Sequence, residues 1–92
     1  MNLKEIIDGK GDFATKQVGD DLVLVPVKDN VAEMNEMFTL NDVGAFIWNN
    51  LQGDVTQEEL ATSLSKEFDV DEETVSSDLN EFLIQLQKMI NG

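Results

Sequence analysis

The apolar positions of residues 1–40 form short runs that are typical of β-strands. The clearest run is Leu22 to Val27 (LVLVPV), and Gly19 to Asp21 separate it from the run Phe13 to Val18 (FATKQV). This arrangement predicts two strands joined by a tight turn. A polar connection over Asp29 to Glu33 then leads to a third predicted strand, Met34 to Leu40 (MNEMFTL). With three antiparallel strands in sequential order, the third strand would have an unpaired edge.

From residue 41 onward the apolar positions recur at helical spacing. Asn41 predicts the N-cap of a first helix, and Gly53 predicts its end. Thr56 and Glu59 have the spacing of a capping box, which predicts the start of a second helix after a short turn. The apolar faces of these two helices are Val43, Phe46, Ile47 and Leu51, with Trp48 at the flank, and then Leu60, Leu64 and Phe68.

Asp71 predicts the N-cap of a third helix that runs to about Ile90. Its apolar residues fall within an arc of about 120° at 100° per residue, and Ile84 falls on the opposite side. The members of the arc are Val75, Leu79, Phe82, Leu83, Leu86, Met89 and Ile90.

The order of the predicted elements indicates an α+β domain. A three-stranded antiparallel sheet is followed by three helices, and the short second helix connection makes the arrangement winged-helix-like. We expect a single domain over residues 13–90, preceded by an N-terminal extension over residues 1–12.

Composition removes most catalytic mechanisms. None of the 92 residues is Cys or His, so thiol nucleophiles, thiolate metal sites and the commonest general base near neutral pH are excluded. The sequence contains no phosphate-binding glycine loop, and we expect neither an enzyme nor a bound cofactor. The short apolar run at Ile6 and Ile7 cannot form a signal peptide or a membrane span, so the expected location is the cytoplasm.

The net charge of −13 limits the possible partners. It repels the phosphates of nucleic acids and anionic lipid surfaces, so neither is expected as a partner. Residues 41–92 hold two Lys against eleven acidic residues, which favours a basic partner.

Three other interpretations fail on particular residues. A DNA-reading third helix would press the acidic sequence DEETVSSD, residues 71–78, against phosphates. A calcium loop that starts at Asp69 would have Thr74 in place of the turn glycine and Asn80 in place of the bidentate Glu. An acyl carrier protein needs an Asp-Ser-Leu site, which this chain lacks, and the strand at Leu22 to Val27 contradicts its all-helical fold.

The segment Phe38 to Leu51 (FTLNDVGAFIWNNL), followed by Gly53 and the Thr56 helix, resembles the PqqD-like family. The similarity continues through Glu67 to Val70 and through the spacing Asp-x-x-x-Phe-Leu-x-x-Leu from Asp78 to Leu86. It covers roughly residues 13–90. Members of this family are the peptide-recognition elements of biosynthetic pathways for ribosomally synthesised, post-translationally modified peptides.

The resemblance implies that a precursor's leader peptide adds as a strand to the third strand, in the groove between that strand and the third helix. The implied edge residues are Glu36, Met37, Phe38 and Thr39. The implied helical wall is Val75, Asp78, Leu79, Phe82, Leu83 and Leu86. Because one apolar arc must serve both core and groove, we expect Leu79, Phe82 and Leu86 to be mainly core, and Val75, Asp78 and Leu83 to border the groove. Asn41 and Trp48 are expected to be a cap and a packing residue.

The resemblance also implies the partners, which are a leader peptide and a peptide-modifying enzyme such as a radical SAM maturase or a leader protease. The acidic third helix predicts a leader with basic residues. A non-catalytic adaptor or regulatory protein that binds a folded partner through the same groove is the alternative function. Both a monomer and a homodimer are compatible with the sequence, because an edge strand can pair with a second copy.

Overall fold

The computed structural model describes residues 3–28, 31–32 and 37–91. The strands are β1 (Phe13–Val18), β2 (Asp21–Lys28), β3 (Val31–Ala32) and β4 (Phe38–Leu40). The helices are α1 (Leu3–Gly9), α2 (Asp42–Asn50), α3 (Gln57–Phe68) and α4 (Glu72–Asn91), with one turn of 3₁₀ helix at Lys10–Asp12. The structure confirms the predicted α+β class, with an antiparallel sheet followed by three helices.

Strand β2 is the centre of the sheet. Its residues Leu22 to Leu24 pair with β1 and also with β4, so these two strands lie on opposite sides of β2. Both pairings are antiparallel. Within the described part of the chain, β4 pairs with β2 and with no further strand, which places it at the edge of the sheet.

The predicted third strand differs from the structure. Strand β4 begins at Phe38, Met37 precedes it without strand pairing, and residues 34–36 of the prediction lie outside the described residues. The polar connection predicted over 29–33 contains β3, which pairs with Val27 and Lys28. Because β3 spans only Val31 and Ala32, it is too short to produce a recognisable alternation of apolar and polar residues.

The helix caps follow the sequence signals closely. Asn41 Oδ1 accepts a hydrogen bond from the Gly44 amide at 2.9 Å, and Thr56 and Glu59 form both bonds of a capping box. Asp71 Oδ1 accepts from the Thr74 amide at 2.9 Å. Helix α2 ends at Asn50, earlier than predicted, and Gly53 lies in the following turn with a φ of +62°.

Helix α1 forms in the segment for which the sequence predicts no element. Its residues Leu3 and Ile6 belong to the buried core, and the backbone of Gly9 lies against the Ile90 side chain at the end of α4. The amphipathic pattern of this seven-residue helix is too short to identify from sequence. The core therefore includes residues from both ends of the chain.

The core lies between the sheet and the helices. Leu22 and Leu24 cover the inner face of β2, and Trp48 is buried where its ring meets Phe13 edge to face at 5.9 Å between centroids. Trp48 is therefore a packing residue, as expected. No described helix has an apolar stretch long enough to cross a bilayer.

Candidate functional site

The free edge of β4 is the first part of the candidate site. Phe38 lies opposite Leu24, and Leu40 lies opposite Leu22. Since directly opposed residues of an antiparallel pair share a face, Phe38 and Leu40 point to the core side of the sheet. Leu40 is half-buried, whereas 40% of the Phe38 surface is exposed because no described strand lies beyond β4. The apolar side chain of Phe38 therefore lies beside backbone groups of β4 that pair with no described strand.

Asn41 connects this edge directly to α2. It is the only residue between the last residue of β4 and the first residue of α2, and its side chain caps the helix. This abrupt junction places the first turn of α2 immediately beside the end of the edge strand. Val43 in that turn is 37% exposed.

Helix α4 forms the opposite wall and approaches α2 at Gly44. A Cβ atom added to Gly44 would lie 3.1 Å from Leu40 Cβ and 3.2 Å from Phe82 Cε1. Both distances are tighter than most carbon contacts in folded proteins, so the missing side chain allows the Phe82 ring to lie on the helix backbone. The end of β4, the start of α2 and the middle of α4 meet at this glycine.

A cavity of about 340 Å³ opens at this junction. It is bounded by Asn41 and the first turns of α2, by the C-terminal end of α3 with Val70, and by one side of α4. Its volume is at the lower end of the range of about 300–1,000 Å³ that is typical of small-molecule pockets. Most of its lining is apolar, and Phe68 and Phe82 contribute half-buried aromatic rings.

A second cavity, of about 430 Å³, lies on the other side of the core-facing arc of α4. Glu58, Thr62, Glu72 and Ser76 give it a polar lining, and no residue of β4 borders it. Among the described residues, the lining of the apolar cavity likewise includes none from β4, but it does include Asn41, which directly follows that strand.

The structure separates the implied site residues into three groups. Val75, Asp78, Leu79 and Phe82 line the apolar cavity, and Met37, Phe38 and Thr39 are exposed at the strand edge. Leu83 and Leu86 are core residues, with 0% and 3% of their surface exposed. Leu79 is also core, as expected, at 1% exposed, and Val75, which was expected at the border of the groove, is buried at 8% although it lines the cavity. Glu36 lies outside the described residues.

Leu83 is more buried than Phe82, the opposite of what the helical wheel predicts. The helical wheel placed Leu83 at the border of the groove and Phe82 in the core, yet Leu83 is fully buried and the half-buried Phe82 ring lines the cavity. A helical wheel gives angles within one helix, but it does not show where α1, α2 and α3 pack against it. Leu83 therefore contributes to the core and has no surface that a peptide could contact.

The cavity is also lined by residues that the sequence did not identify, namely Val43, Gly44, Phe68 and Val70. Val70 carried a detectable signal in the sequence, because it is an apolar residue between two aspartates. In the structure 39% of its surface is exposed. Gly44 carried another, since a glycine inside a helix costs about 1 kcal/mol relative to alanine and therefore suggests a site of close packing. Asn41 was expected to be only a cap, but it both caps α2 and lines the cavity.

The start of α4 places negative charge near the site. Glu72 and Glu73 occupy its first turn, where the helix dipole favours negative charge. Hydrogen bonds from Thr74, chiefly from its backbone amide, lower the pKa of Asp71 below its ordinary value. Within the described ranges, no group of three or more acidic side chains is arranged to hold a metal ion.

The family model described as "Coenzyme PQQ synthesis protein D (PqqD)" matches residues 21–89, which run from the first residue of β2 almost to the end of α4. The chain belongs to the PqqD family. This confirms the resemblance seen in the sequence motifs. In this PqqD-family protein, α1 and β1 lie before the matched residues, whereas the free edge of β4 and the apolar cavity lie within them.

A solved structure of TbiB1 in complex with the TbiA(beta) leader peptide is similar to this PqqD-family chain. The sequences are 28% identical, the match covers 84% of each chain, and the TM-score is 0.67. No curated protein matches the chain.

Proposed function

We propose that this PqqD-family protein binds the leader peptide of a ribosomally made precursor and presents it to a modifying enzyme. The leader adds as a strand to the free edge of β4, in the groove between β4 and α4. The observation that carries this proposal is the exposed β4 edge beside an apolar cavity. The similar protein TbiB1, which is in complex with a leader peptide, supports it.

Strand addition fits the residues of the edge. Backbone N–H and C=O groups supply affinity with little dependence on peptide sequence, and pockets for alternate side chains supply specificity. Because Phe38 and Leu40 point to the core side, every second peptide side chain points to the same side, between Phe38 and α4. The remaining peptide side chains face solvent.

The charge of the protein favours a leader that carries Lys or Arg. The net charge of −13 raises the encounter rate with a basic peptide and lowers it with an acidic one. The acidic start of α4 is one source of this field. Salt screens interactions of this kind, with a Debye length of about 10 Å at 0.1 M and about 3 Å at 1 M.

In this proposal the chemistry occurs on the partner enzyme, such as a radical SAM maturase or a leader protease. A chain with neither Cys nor His has few groups suited to catalysis near neutral pH. Its contribution is to hold the precursor close to the enzyme, which converts a bimolecular encounter into an effectively intramolecular one.

The test is the binding of a fluorescently labelled synthetic leader, taken from a short precursor encoded next to this gene, measured by anisotropy at low and high salt. We expect saturable binding that weakens as salt rises. An unrelated peptide of equal length and charge is the control. Equal binding of the control, or no saturable binding of the leader, would contradict the proposal and favour an adaptor for a folded partner.

A further inference from the structure

Asp78 is the one charged side chain among the described residues that line the apolar cavity. The other α4 residues of the lining are Val75, Leu79 and Phe82. Across the cavity lie the apolar side chains of Phe68, Val70 and Val43, whereas Asp78 itself is exposed to solvent. The ligand that enters this cavity therefore meets apolar walls and a single negative charge.

The carboxylate of Asp78 has no hydrogen-bond donor or cation near it within residues 3–28, 31–32 and 37–91. In contrast, the Asp71 carboxylate on the same helix is occupied by hydrogen bonds from Thr74. Asp78 is neither a cap nor half of an ion pair in the described structure. Its acceptor oxygens remain available to a ligand.

These features match one class of side chain. Lys and Arg have long aliphatic stems that pack on apolar surface and a charged end that reaches a polar group. The stem would lie along Val75 and Phe82, which line the same cavity as Asp78. A Glu or Asp at the same point would place two like charges close together, which is unfavourable.

We propose that one position of the bound peptide is read by this cavity as Lys or Arg, with Asp78 accepting the hydrogen bond from its cationic end. This inference rests on the proposed function and adds a specificity-determining residue to it. The general acidity of the protein favours basic peptides at any position, whereas Asp78 selects a basic residue at one fixed position relative to the strand on β4.

The test uses a displayed library of random peptides selected against the full chain. The wild-type protein is compared with Asp78→Asn and with Glu81→Gln, which removes the same charge from an exposed α4 residue outside the cavity. Peptides selected by the wild-type protein and by Glu81→Gln should carry Lys or Arg at one position, at a fixed distance from their apolar residues. Peptides selected by Asp78→Asn should lose that preference and keep the apolar positions.

The strongest selected peptide is then synthesised with the basic residue or with norleucine. We expect norleucine to weaken binding about fivefold for the wild-type protein and Glu81→Gln, and to leave binding by Asp78→Asn unchanged. This double-mutant comparison separates direct contact from the effect of overall charge. Thermal unfolding of each variant confirms that all three proteins are folded.

Three results would overturn the inference. Selected peptides that shift the amides of Met37 to Leu40 but carry aliphatic or aromatic residues at the cavity position would leave leader binding intact and remove the role of Asp78. An equal loss of basic preference in Glu81→Gln and Asp78→Asn would show that overall charge alone selects the peptide. A library with no binder to the wild-type protein would contradict the proposed function itself, and this inference with it.

Discussion

The Phe82 ring lies against the backbone of Gly44, at a point where a Cβ atom would come within 3.2 Å of Phe82 Cε1. The same added Cβ atom would lie 3.1 Å from Leu40 Cβ, at the end of β4. The packing of α4 against the end of β4 and the start of α2 therefore depends on the absence of one methyl group.

Gly44→Ala should disturb both the fold and the groove. The added methyl group must displace Leu40 or Phe82, and overpacking of this kind costs about 1–3 kcal/mol. Gly11→Ala is the control, since its Cβ would meet no atom within 4 Å, and its effect should stay within about 0.5 kcal/mol. Urea unfolding and leader affinity measure the two effects. Equal stability of the two variants would contradict the close contact at Gly44.

Phe38→Ala should weaken leader binding more than it weakens folding. Phe38 is 40% exposed, and peptide addition would bury part of this surface, which is worth about 1 kcal/mol or roughly a fivefold change in affinity. Ile84→Ala is a matched control, because Ile84 is 38% exposed on α4 outside the cavity. Isothermal titration with the leader should separate the variants. Equal affinities would place the peptide away from the β4 edge.

Asp71→Asn should lower stability in a pH-dependent way. Because hydrogen bonds from Thr74 lower the folded pKa of Asp71 below 3.8, its carboxylate stabilises the folded state above that pH. The contribution is lost as the pH falls through the lower folded value. Thermal unfolding of the wild-type protein and Asp71→Asn should therefore differ near neutral pH and converge in strong acid. A constant difference across this range would exclude the titration of Asp71 as its cause.

Lys10→Met should destabilise the fold while leaving the groove unchanged. Lys10 Nζ donates to the backbone oxygens of Trp48 at 2.6 Å and Leu51 at 2.9 Å, and it lies 5.2 Å from the centroid of the Trp48 ring. Desolvation lowers the pKa of Lys10, which offsets part of the gain from these bonds. The net loss should be about 1 kcal/mol, or a decrease of about 4–8 °C in the melting temperature.

Lys16→Met provides the control for this substitution, because Lys16 is exposed on β1. Its melting temperature should remain near that of the wild-type protein. If Lys10→Met and Lys16→Met have the same melting temperature, the hydrogen bonds from Lys10 to the end of α2 contribute nothing to stability. If Lys10→Met alone loses leader affinity, the end of α2 is coupled to the groove.

The caps and the long helix were predictable because their signals are local. The side chains of Thr56 and Glu59 each accept a hydrogen bond from the other residue's backbone amide, within one helical turn. The apolar positions of α4 repeat over several turns. The free edge of β4 followed from strand order, although its exact start did not. Local patterns were sufficient for the parts of the fold whose hydrogen bonds lie within a few residues.

The features that the sequence did not reveal depend on contacts between distant segments. Helix α1 is held by burial of Leu3 and Ile6 and by the contact of Gly9 with Ile90 at the other end of the chain. The burial of Leu83 and the position of Phe82 at the cavity have the same origin. One apolar arc on α4 faces both the interior and the cavity, and only the positions of the neighbouring helices decide which residue faces which.

Leader binding at β4 can be tested directly by a backbone amide NMR titration of the isotope-labelled protein with its cognate leader. Strand addition predicts saturable shifts and slowed hydrogen exchange at Met37 to Leu40, together with shifts at Val75, Asp78 and Phe82, while the amides of α1 stay unchanged. Saturable binding that leaves the amides of Met37 to Leu40 unprotected from exchange would contradict strand addition of the leader to β4.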